Sequence, residues 1–421
     1  MIDIKEVILK QDEYQENCNN RLLDIDVQEV VSLYSKQKEL KGKLDLKRAE
    51  RNELANKMKD RLPNEERNLL VEKGKLLKKE VSDLEKQFDE IKSSYDSLLF
   101  KLPNFTSGSS PIGKEEDSKV LREVGIKKKF DFEIKDHLEL GLSLDILNFD
   151  IAAQVTGNKF YYLKNQGALL EMALVQFVIN KLVNKGFSIY ITPDLARNTV
   201  VEGIGYNPRG VETNIYSIEK TELCLIGTSE ITLGGMCSNR ILKSSELPLC
   251  MAGYSHCFRT EAGAAGQESK GLYRVHQFTK VEIFIICKPE ESTKYHRDIL
   301  SIEEEIYKEL KIPYRVLDIA TGDLGNPAYK KYDIEAWMPG RNAYGEITST
   351  SNCTDFQARR LNIKFLNENE SLQYVHMLNG TAVAVPRVII AILENYQNSD
   401  GTVDIPEVLQ PYLRAKKIAK I

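Results

Sequence analysis

Residues 257–284 read CFRTEAGAAGQESKGLYRVHQFTKVEIF, and every second position from Leu272 to Glu282 is part of an alternation of charged and aromatic side chains. If Arg259, Arg274, Phe278 and Glu282 share one face of two strands joined by a loop, that face offers two guanidinium groups, a ring and a carboxylate. Guanidinium groups suit phosphate and carboxylate, and an aromatic ring accepts a stacked base. The set suits a nucleotide together with a small zwitterion. The alternative is a cross-strand ladder of ion pairs on an exposed sheet.

Two further segments carry oxygen-rich polar groups. In LIGTSEITL (225–233), Thr228 and Glu230 form a short polar stretch between apolar residues. A carboxylate there needs a cationic partner such as an amino group, unless the stretch is only a capped turn. In EITSTSNCTDFQARR (346–360), hydroxyl and amide groups follow Glu346, and such hard oxygen ligands suit Mg²⁺ with phosphate. The alternative is a Ser/Thr-rich strand and turn.

An arginine stands near the start of an apolar helix in NGTAVAVPRVIIAILENYQ (379–397). Arg387 in the first helical turn opposes the helix dipole, which is unfavourable unless a negative group lies in front of it. The segment therefore indicates either a bound anion or a salt bridge to a neighbouring residue.

The sequence that must position these groups has two parts with different residue patterns, and the pattern of the first part is helical. From about residue 26 to residue 101 there are two Gly and a single Pro, Pro63. Apolar residues recur there at heptad spacing, which predicts a coiled-coil seam; they are Leu70, Leu77, Leu84, Ile91 and Leu98, with Val81, Phe88 and Tyr95 between them. A weaker seam, broken by Lys47 and Arg51, precedes it at Leu33, Leu40, Leu44, Leu54 and Met58. Leu62-Pro63-Asn64 is a turn signal. The pattern predicts one long helical hairpin with its tip near Pro63 and arms of roughly 50 Å.

Charge on this hairpin is uneven. Residues 36–79 hold 15 Lys and Arg against 8 Asp and Glu, an excess of +7, whereas residues 80–101 hold 3 against 6, or −3. The basic part is either the solvated face of a coiled coil or a surface for a polyanion.

After a segment rich in Pro, Gly and Ser (102–117), which reads as a flexible linker, the pattern changes. An apolar helix (169–185), strands at 187–191 and 282–287, and Gly-containing loops mix without βαβ alternation. No GxGxxG or GxxxxGK[ST] motif occurs, so neither a Rossmann nor a P-loop fold is indicated. The expected fold class is α+β, with a helical arm over residues 1–105 and an antiparallel sheet flanked by helices over residues 106–421.

Composition is that of an ordinary soluble protein. The 421 residues carry a formal net charge of −4, so any nucleic-acid surface must be local. Seven cysteines without CxxC spacing and only five histidines make a structural zinc site unexpected and suit a reducing compartment. We find no apolar run long enough for a signal peptide or a membrane span, and expect a cytoplasmic protein without membrane contact.

Taken together, the segments resemble seryl-tRNA synthetases, which are class II aminoacyl-tRNA synthetases. The resemblance covers nearly the whole chain: the helical hairpin, LPN, TSE, the FRTE to RVHQFTKVE block, DFQARR and NGTAVAVPR follow in family order. Residues 169–195 resemble class II motif 1, which in the family builds a homodimer interface. The FRTE block resembles motif 2, and Arg387 matches the arginine of motif 3.

The resemblance implies two adjoining ligand sites. The implied ATP-binding residues are Arg259, Thr260, Glu261, Arg274, Val275, Phe278, Glu346, Ile347, Thr348, Ser349 and Arg387. The implied serine-binding residues are Thr228, Ser229, Glu230, Arg259, Glu282, Asn379 and Thr381. In this scheme Arg259 bridges the α-phosphate and the serine carboxylate, Phe278 stacks on adenine, Arg274 and Arg387 face the γ-phosphate, and Glu346 and Ser349 carry Mg²⁺. Arg259 and Arg387 are the implied catalytic residues.

The activity implied is formation of seryl-adenylate from serine and ATP, followed by transfer of serine to the 3′ end of tRNA(Ser). Whether tRNA(Sec) is also a substrate stays open. The family's basic arm grips the long variable arm of the tRNA. The family commonly has Ser where Thr348 and Thr381 stand, and the added methyl groups bear on the size of the pocket. The alternatives are a synthetase-like paralogue that does not charge tRNA and a non-enzymatic coiled-coil scaffold.

Overall fold

The structure is a computed structural model that describes residues 2–60, 63–207, 214–261 and 270–420. Contacts divide the chain into two compact units, Met1–Pro103 (unit 1) and Asn104–Ile421 (unit 2). The helices of the described residues are α1 (Ile4–Leu9), α2 (Gln11–Asn20), α3 (Val27–Lys57), α4 (Asn64–Lys101), α5 (His137–Ser143), α6 (Asp150–Val155), α7 (Gln166–Asn184), α8 (Asn198–Ile204), α9 (Glu230–Gly235), α10 (Ser292–Glu309), α11 (Phe356–Leu361), α12 (Val385–Asn395) and α13 (Gln410–Leu413). The strands are β1 (Lys119–Val124), β2 (Leu147–Asn148), β3 (Tyr162–Leu163), β4 (Ser188–Ile191), β5 (Leu195–Arg197), β6 (Leu223–Leu225), β7 (Ile241–Lys243), β8 (Leu249–Phe258), β9 (Gln277–Cys287), β10 (Tyr314–Asp318), β11 (Lys330–Met338), β12 (Ala343–Asn352), β13 (Lys364–Leu366), β14 (Leu372–Tyr374), β15 (His376–Ala384), β16 (Val403–Asp404) and β17 (Lys417–Ile418).

The long helices α3 and α4 of unit 1 pack against each other and confirm the predicted hairpin. Asp26 begins α3, because its carboxylate accepts hydrogen bonds from the backbone N–H groups of Gln28 and Glu29. Pro63 lies directly before α4, while Leu62 of the predicted turn lies outside the described residues. The heptad positions of α4 face α3: Leu77, Val81 and Tyr95 are buried and the others are half-buried.

The weaker seam of α3 is interrupted by a lysine that the structure accommodates. Lys47 is half-buried, and its ammonium group lies 3.0 Å from Glu80 of α4 and 3.3 Å from Glu50. Its aliphatic stem covers the seam while the charge reaches carboxylates at the edge.

Unit 2 is built on one sheet of eight strands in the order β1-β10-β11-β12-β15-β9-β8-β4. All neighbouring pairs are antiparallel except β4 and β8, which are parallel. The sheet and its helices confirm the α+β class. The predicted apolar helix corresponds to α7, and the predicted strands to β4 and to the second half of β9.

The two faces of β9 explain where a site can form. Val281, Ile283 and Ile285 point into the main core, where α7, α10 and α12 pack on the sheet. On the other face Phe284 and Ile286 join a second core with α8, α9 and α11, and this cover stops before the start of the strand. The first half of β9 therefore keeps one face open.

The segment predicted to be a flexible linker is ordered from Asn104 onward, so that expectation is wrong. The Asn104 side chain is buried, and its amide donates to the carbonyl oxygens of Pro327 and Cys353, both at 2.9 Å. Ser107 donates its backbone N–H to Tyr329 at 2.9 Å. Pro, Gly and Ser mark a segment without regular structure, but they do not exclude specific hydrogen bonds to the rest of the unit.

One described helix, α7, is long and apolar enough to cross a membrane by length and composition alone. Leu170, Leu174, Val178 and Leu182 on one side of it are fully buried in the main core of unit 2. That packing is typical of a core helix.

Candidate active site

A cavity of about 630 Å³ opens on the uncovered face of β9. This volume lies within the range of small-molecule sites, about 300–1,000 Å³. The residues expected from the sequence that line it are Glu230, Arg259, Glu261, Arg274, Val275, Phe278, Glu282, Glu346, Ile347, Thr348, Ser349, Asn379, Thr381 and Arg387. One cavity in unit 2 thus brings together side chains that are far apart in the sequence.

Three expected residues are not among the lining residues. Ser229 is fully buried, and its hydroxyl donates to the Gly253 carbonyl oxygen at 3.1 Å. The Thr228 hydroxyl accepts the backbone N–H of Glu230 at 3.4 Å, and Thr260 donates its backbone N–H to Asn214 at 3.2 Å. Direct ligand contacts by these three residues stay predictions.

One end of the cavity presents a guanidinium group beside an aromatic ring. Arg259 follows directly after β8, and its guanidinium carbon lies 5.3 Å from the centre of the Phe278 ring, which is a cation–π contact. Its Nε donates to the Gly227 carbonyl oxygen at 3.3 Å. Arg274 lies 3.6 Å from the Glu261 carboxylate. The GAAG loop between β8 and β9 lies outside the described residues.

The predicted alternation holds over only part of its length. It was expected from Leu272 to Glu282, but β9 begins at Gln277, and Arg274 and Val275 precede it in a non-strand segment. Phe278 and Glu282 do share one face of the strand. Arg274 reaches the cavity from the preceding segment instead.

The cavity also holds two buried carboxylates, Glu230 and Glu282. Burial, and then the charge of Glu282, raise the pKa of Glu230 to about 7. Gln357 and Asn379 each donate a side-chain N–H to Glu230 Oε1, at 2.6 Å and 2.9 Å. The Thr381 hydroxyl donates to Glu282 Oε2 at 3.3 Å. An ammonium group placed here would meet two acceptors of opposite charge and would favour ionised Glu230.

Lys280 is a functional candidate that the sequence analysis left without a role. It is 5% exposed, lines the cavity, and its Nζ lies 2.5 Å from Glu282 Oε2. A signal was present, since Lys280 lies two residues from both Phe278 and Glu282 and must share their face. Its charge compensates one of the two carboxylates and fixes the position of Glu282.

A third region contains Glu346 and Arg387. Arg387 Nη1 lies 3.1 Å from both the carbonyl oxygen and Oε2 of Glu346. Burial alone would raise the pKa of Glu346, but Arg387 and Lys331 outweigh it and lower that pKa to about 2. An ionised carboxylate is the form that a hard cation requires. The salt bridge also explains how Arg387 is tolerated at the start of α12.

A β-bulge places Glu346 and Ser349 on the same face. Residues three apart point to opposite faces of a regular strand. Between β11 and β12 the register shifts, so that Ser349 faces Asp333 and Glu346 faces Glu335, with Ile347 as the extra residue. Both side chains line the cavity as a result, and their carboxylate and hydroxyl oxygens fit a Mg²⁺ ion with phosphate.

Both parts of the chain match described protein families. Residues 1–106 match the seryl-tRNA synthetase N-terminal domain. Residues 213–396 match the tRNA synthetase class II core domain (G, H, P, S and T).

Relatives of similar length are known from bacteria. The chain is 52% identical over 416 residues to a serine–tRNA ligase of Borrelia garinii subsp. bavariensis, with 98% of each chain covered. It is 50% identical over 422 residues to a serine–tRNA ligase of Dictyoglomus turgidum, with 99% of each covered.

Solved structures agree with these relatives. A seryl-tRNA synthetase from Pyrococcus horikoshii complexed with ATP superimposes with a TM-score of 0.86, at 40% identity and with 100% of both chains covered. A cytoplasmic serine–tRNA ligase from Naegleria fowleri in complex with AMP gives 0.79 at 29% identity, with 97% of this chain and 95% of that chain covered.

Proposed function

The chain belongs to the seryl-tRNA synthetase family, and on this premise we propose which of its residues carry out the serine–tRNA ligase reaction. The cavity of unit 2 binds ATP and L-serine side by side, forms seryl-adenylate, and passes serine to the 3′ end of tRNA(Ser). The observation that carries this proposal is the joining, in one cavity, of a guanidinium–ring pair at Arg259 and Phe278 with the carboxylates of Glu230 and Glu282.

Serine lies against the two carboxylates. Its ammonium group pairs with Glu230, with the Thr228–Ser229 segment beneath it. Its hydroxyl group meets Glu282 and Thr381, which are already joined by a hydrogen bond, while Asn379 closes the side. Alanine leaves these buried polar groups unpaired, which is the physical basis for rejecting it.

ATP lies along the rest of the cavity. Phe278 stacks on adenine, beside Glu261 and the Thr260 and Val275 backbone. Arg259 reaches the α-phosphate, and Arg274 and Arg387 neutralise the outer phosphates. Glu346 and Ser349 hold Mg²⁺, next to Ile347 and Thr348. The ion supplies charge neutralisation for the phosphates when it is bound.

The first step needs no protein nucleophile. The serine carboxylate attacks the α-phosphorus, and pyrophosphate leaves from the opposite side. Arg259 lies between the two reactants and stabilises the negative charge that develops there, so positioning and electrostatics supply most of the acceleration. A tRNA 3′-terminal hydroxyl then attacks the carbonyl carbon of seryl-adenylate and releases AMP.

Unit 1 binds the tRNA. Residues 36–79 carry the +7 excess; 13 of their 15 basic residues lie on α3 or the first half of α4, and Lys59 closely follows α3. Lys and Arg contacts with phosphate provide sequence-independent affinity for the variable arm of the tRNA. Use of tRNA(Sec) would depend on the same contacts.

We further propose that the protein is a cytoplasmic homodimer. On α7 and β4, Leu169, Met172 and Ile191 are exposed apolar residues, with Ile191 83% exposed. Such exposed apolar residues in motif 1 would be covered by a second copy of the chain.

Serine-dependent exchange of pyrophosphate into ATP tests the proposal. The purified protein should exchange label only with serine, ATP and Mg²⁺ present, and should charge tRNA(Ser). Arg259→Ala should remove exchange, whereas Arg240→Ala, on the surface with a half-exposed side chain, should not. Absence of serine-dependent exchange in the wild type would refute the assignment.

A further inference from the structure

A wholly buried carboxyl group lies outside the machinery described above. Glu303 of α10 has no exposed surface. Within the described part of the chain, neither of its carboxyl oxygens nor the nearby Tyr307 hydroxyl has a hydrogen-bond partner of ordinary geometry. Most buried polar side-chain atoms have a partner, so this group requires an explanation.

Glu303 lies directly against the strand that carries two of the proposed serine contacts. A Cβ atom built on Gly380 would come very close to an Ile299 methyl group and 2.6 Å from Glu303 Oε1, so these two side chains share the space left by the missing side chain. Gly380 stands between Asn379 and Thr381 on β15 and faces the opposite side of the sheet. Glu303 therefore packs against the backbone of these two residues on the face of the sheet opposite to their side chains.

The strands diverge at this point. Backbone pairing of β12 with β15 ends at Thr350 and Gly380. Beyond it the Thr348 hydroxyl donates to the Thr381 carbonyl oxygen. At the last pair itself, the Thr350 hydroxyl donates to the Asn379 carbonyl oxygen at 2.9 Å. The Thr348 hydroxyl thus holds the β15 backbone where the sheet ladder no longer does, and the Thr350 hydroxyl reinforces the last pair.

The surroundings of Glu303 favour its neutral form. Burial raises its pKa well above the ordinary value, and the charges of Glu282 and Asp333 act in the same direction. A protonated carboxyl group has one O–H to donate. Thr348 interacts with both Glu303 and Tyr307, and because its own proton is given to Thr381, its oxygen can accept one.

We propose that Glu303 is a positioning residue for the amino acid substrate. As a neutral acid it donates to Thr348, which holds Thr381, and it supports the backbone beside Asn379 from behind. It thereby sets serine affinity and discrimination against threonine without touching the substrate. This inference rests on the proposed function of the cavity and deepens it.

The test compares Glu303→Gln, which keeps a neutral hydrogen-bond donor, with Glu303→Leu, which keeps a side chain of similar size but has no hydrogen-bond donor. We expect Glu303→Gln to have a serine KM within about twofold of wild type in pyrophosphate exchange. Glu303→Leu should raise the serine KM on the order of tenfold and lower the serine-to-threonine ratio, with the ATP KM unchanged, because a buried partner is lost. Glu304→Gln is the matched control, since that neighbouring carboxylate pairs with Arg122 at 2.5 Å.

A flat serine KM in folded Glu303→Leu, or equal defects in the Gln and Leu variants, would overturn the inference. If Glu303→Leu does not fold, infrared difference spectra of wild type and Glu303→Gln decide. The wild type should show a neutral carboxylic acid band that is absent from Glu303→Gln. In the wild type this band should shift when serine, but not ATP, is added. A band whose frequency does not change with serine overturns the proposal. A wild type without serine-dependent exchange would instead contradict the proposed function itself.

Discussion

Replacing Glu230 with Gln should make the free protein more stable and nearly inactive. Burial and Glu282 raise the pKa of this carboxyl group from 4.5 to about 7. The difference of about 2.5, at about 1.4 kcal/mol for each pKa unit, corresponds to about 3–4 kcal/mol of unfolding free energy. Because the folded state holds the proton more tightly, this cost is absent below pH 4.5, grows from there to pH 7, and is fully present above it.

Glutamine at this position removes the charge and retains an oxygen that can accept from Gln357 and Asn379. Glu230→Gln should therefore melt several degrees higher than wild type at pH 8, and at nearly the same temperature at pH 4.5. It should lose about 2–5 kcal/mol in kcat/KM for serine, because the ammonium group loses its counter-ion. The serine KM of the wild type should also rise as pH falls below about 7, since neutral Glu230 cannot pair with a cation.

Thermal melts at the two pH values and pyrophosphate exchange measure these effects. Glu219→Gln is the control, since it removes an equal charge from a side chain that is 87% exposed. If Glu230→Gln melted at or below the wild-type temperature at pH 8, Glu230 would not be a strained carboxylate. If the variant kept wild-type serine kcat/KM, the ammonium site would lie elsewhere.

Three further expectations follow from the site and the arm. Glu282→Ala should keep the fold but lose about 2–5 kcal/mol of transition-state binding, and near-wild-type exchange at low serine would contradict the assignment. Serine should exceed alanine roughly 10⁴-fold in kcat/KM, with threonine the closer competitor because only sterics around Thr381 reject it; equal values for serine and alanine would refute the pocket. Deleting residues 36–91, with a short turn in their place, should leave pyrophosphate exchange intact and remove most tRNA affinity. The stubs should stay paired, since the Tyr34 and Tyr95 rings outside the deletion lie 5.7 Å apart. Unchanged aminoacylation at limiting tRNA, or loss of exchange, would contradict this division of roles.

Periodicity alone predicted the helical hairpin, because a heptad seam depends only on local spacing. Leu77, Val81 and Tyr95 occupy buried positions as that spacing requires. The same reasoning predicted too long a strand before Gln277, because alternating polarity continues through a segment that the backbone does not form into a strand.

Features of the site that depend on contacts between residues far apart in the sequence could not be predicted from local sequence patterns. The bulge at Ile347, which turns Glu346 toward Ser349, depends on the register between β11 and β12. Glu303 lies in an ordinary amphipathic helix, and nothing in its local sequence distinguishes it from Glu304 and Glu305 beside it. Its significance comes from the glycine that it meets in β15.

The most direct test is a crystal structure with a non-hydrolysable seryl-adenylate analogue, in which a sulfamoyl group replaces the phosphate. The account predicts the ammonium group at Glu230, the serine hydroxyl at Glu282 and Thr381, the sulfamoyl group at Arg259, and adenine on Phe278. The analogue bound in the reverse direction, or outside this cavity, would contradict the central claim.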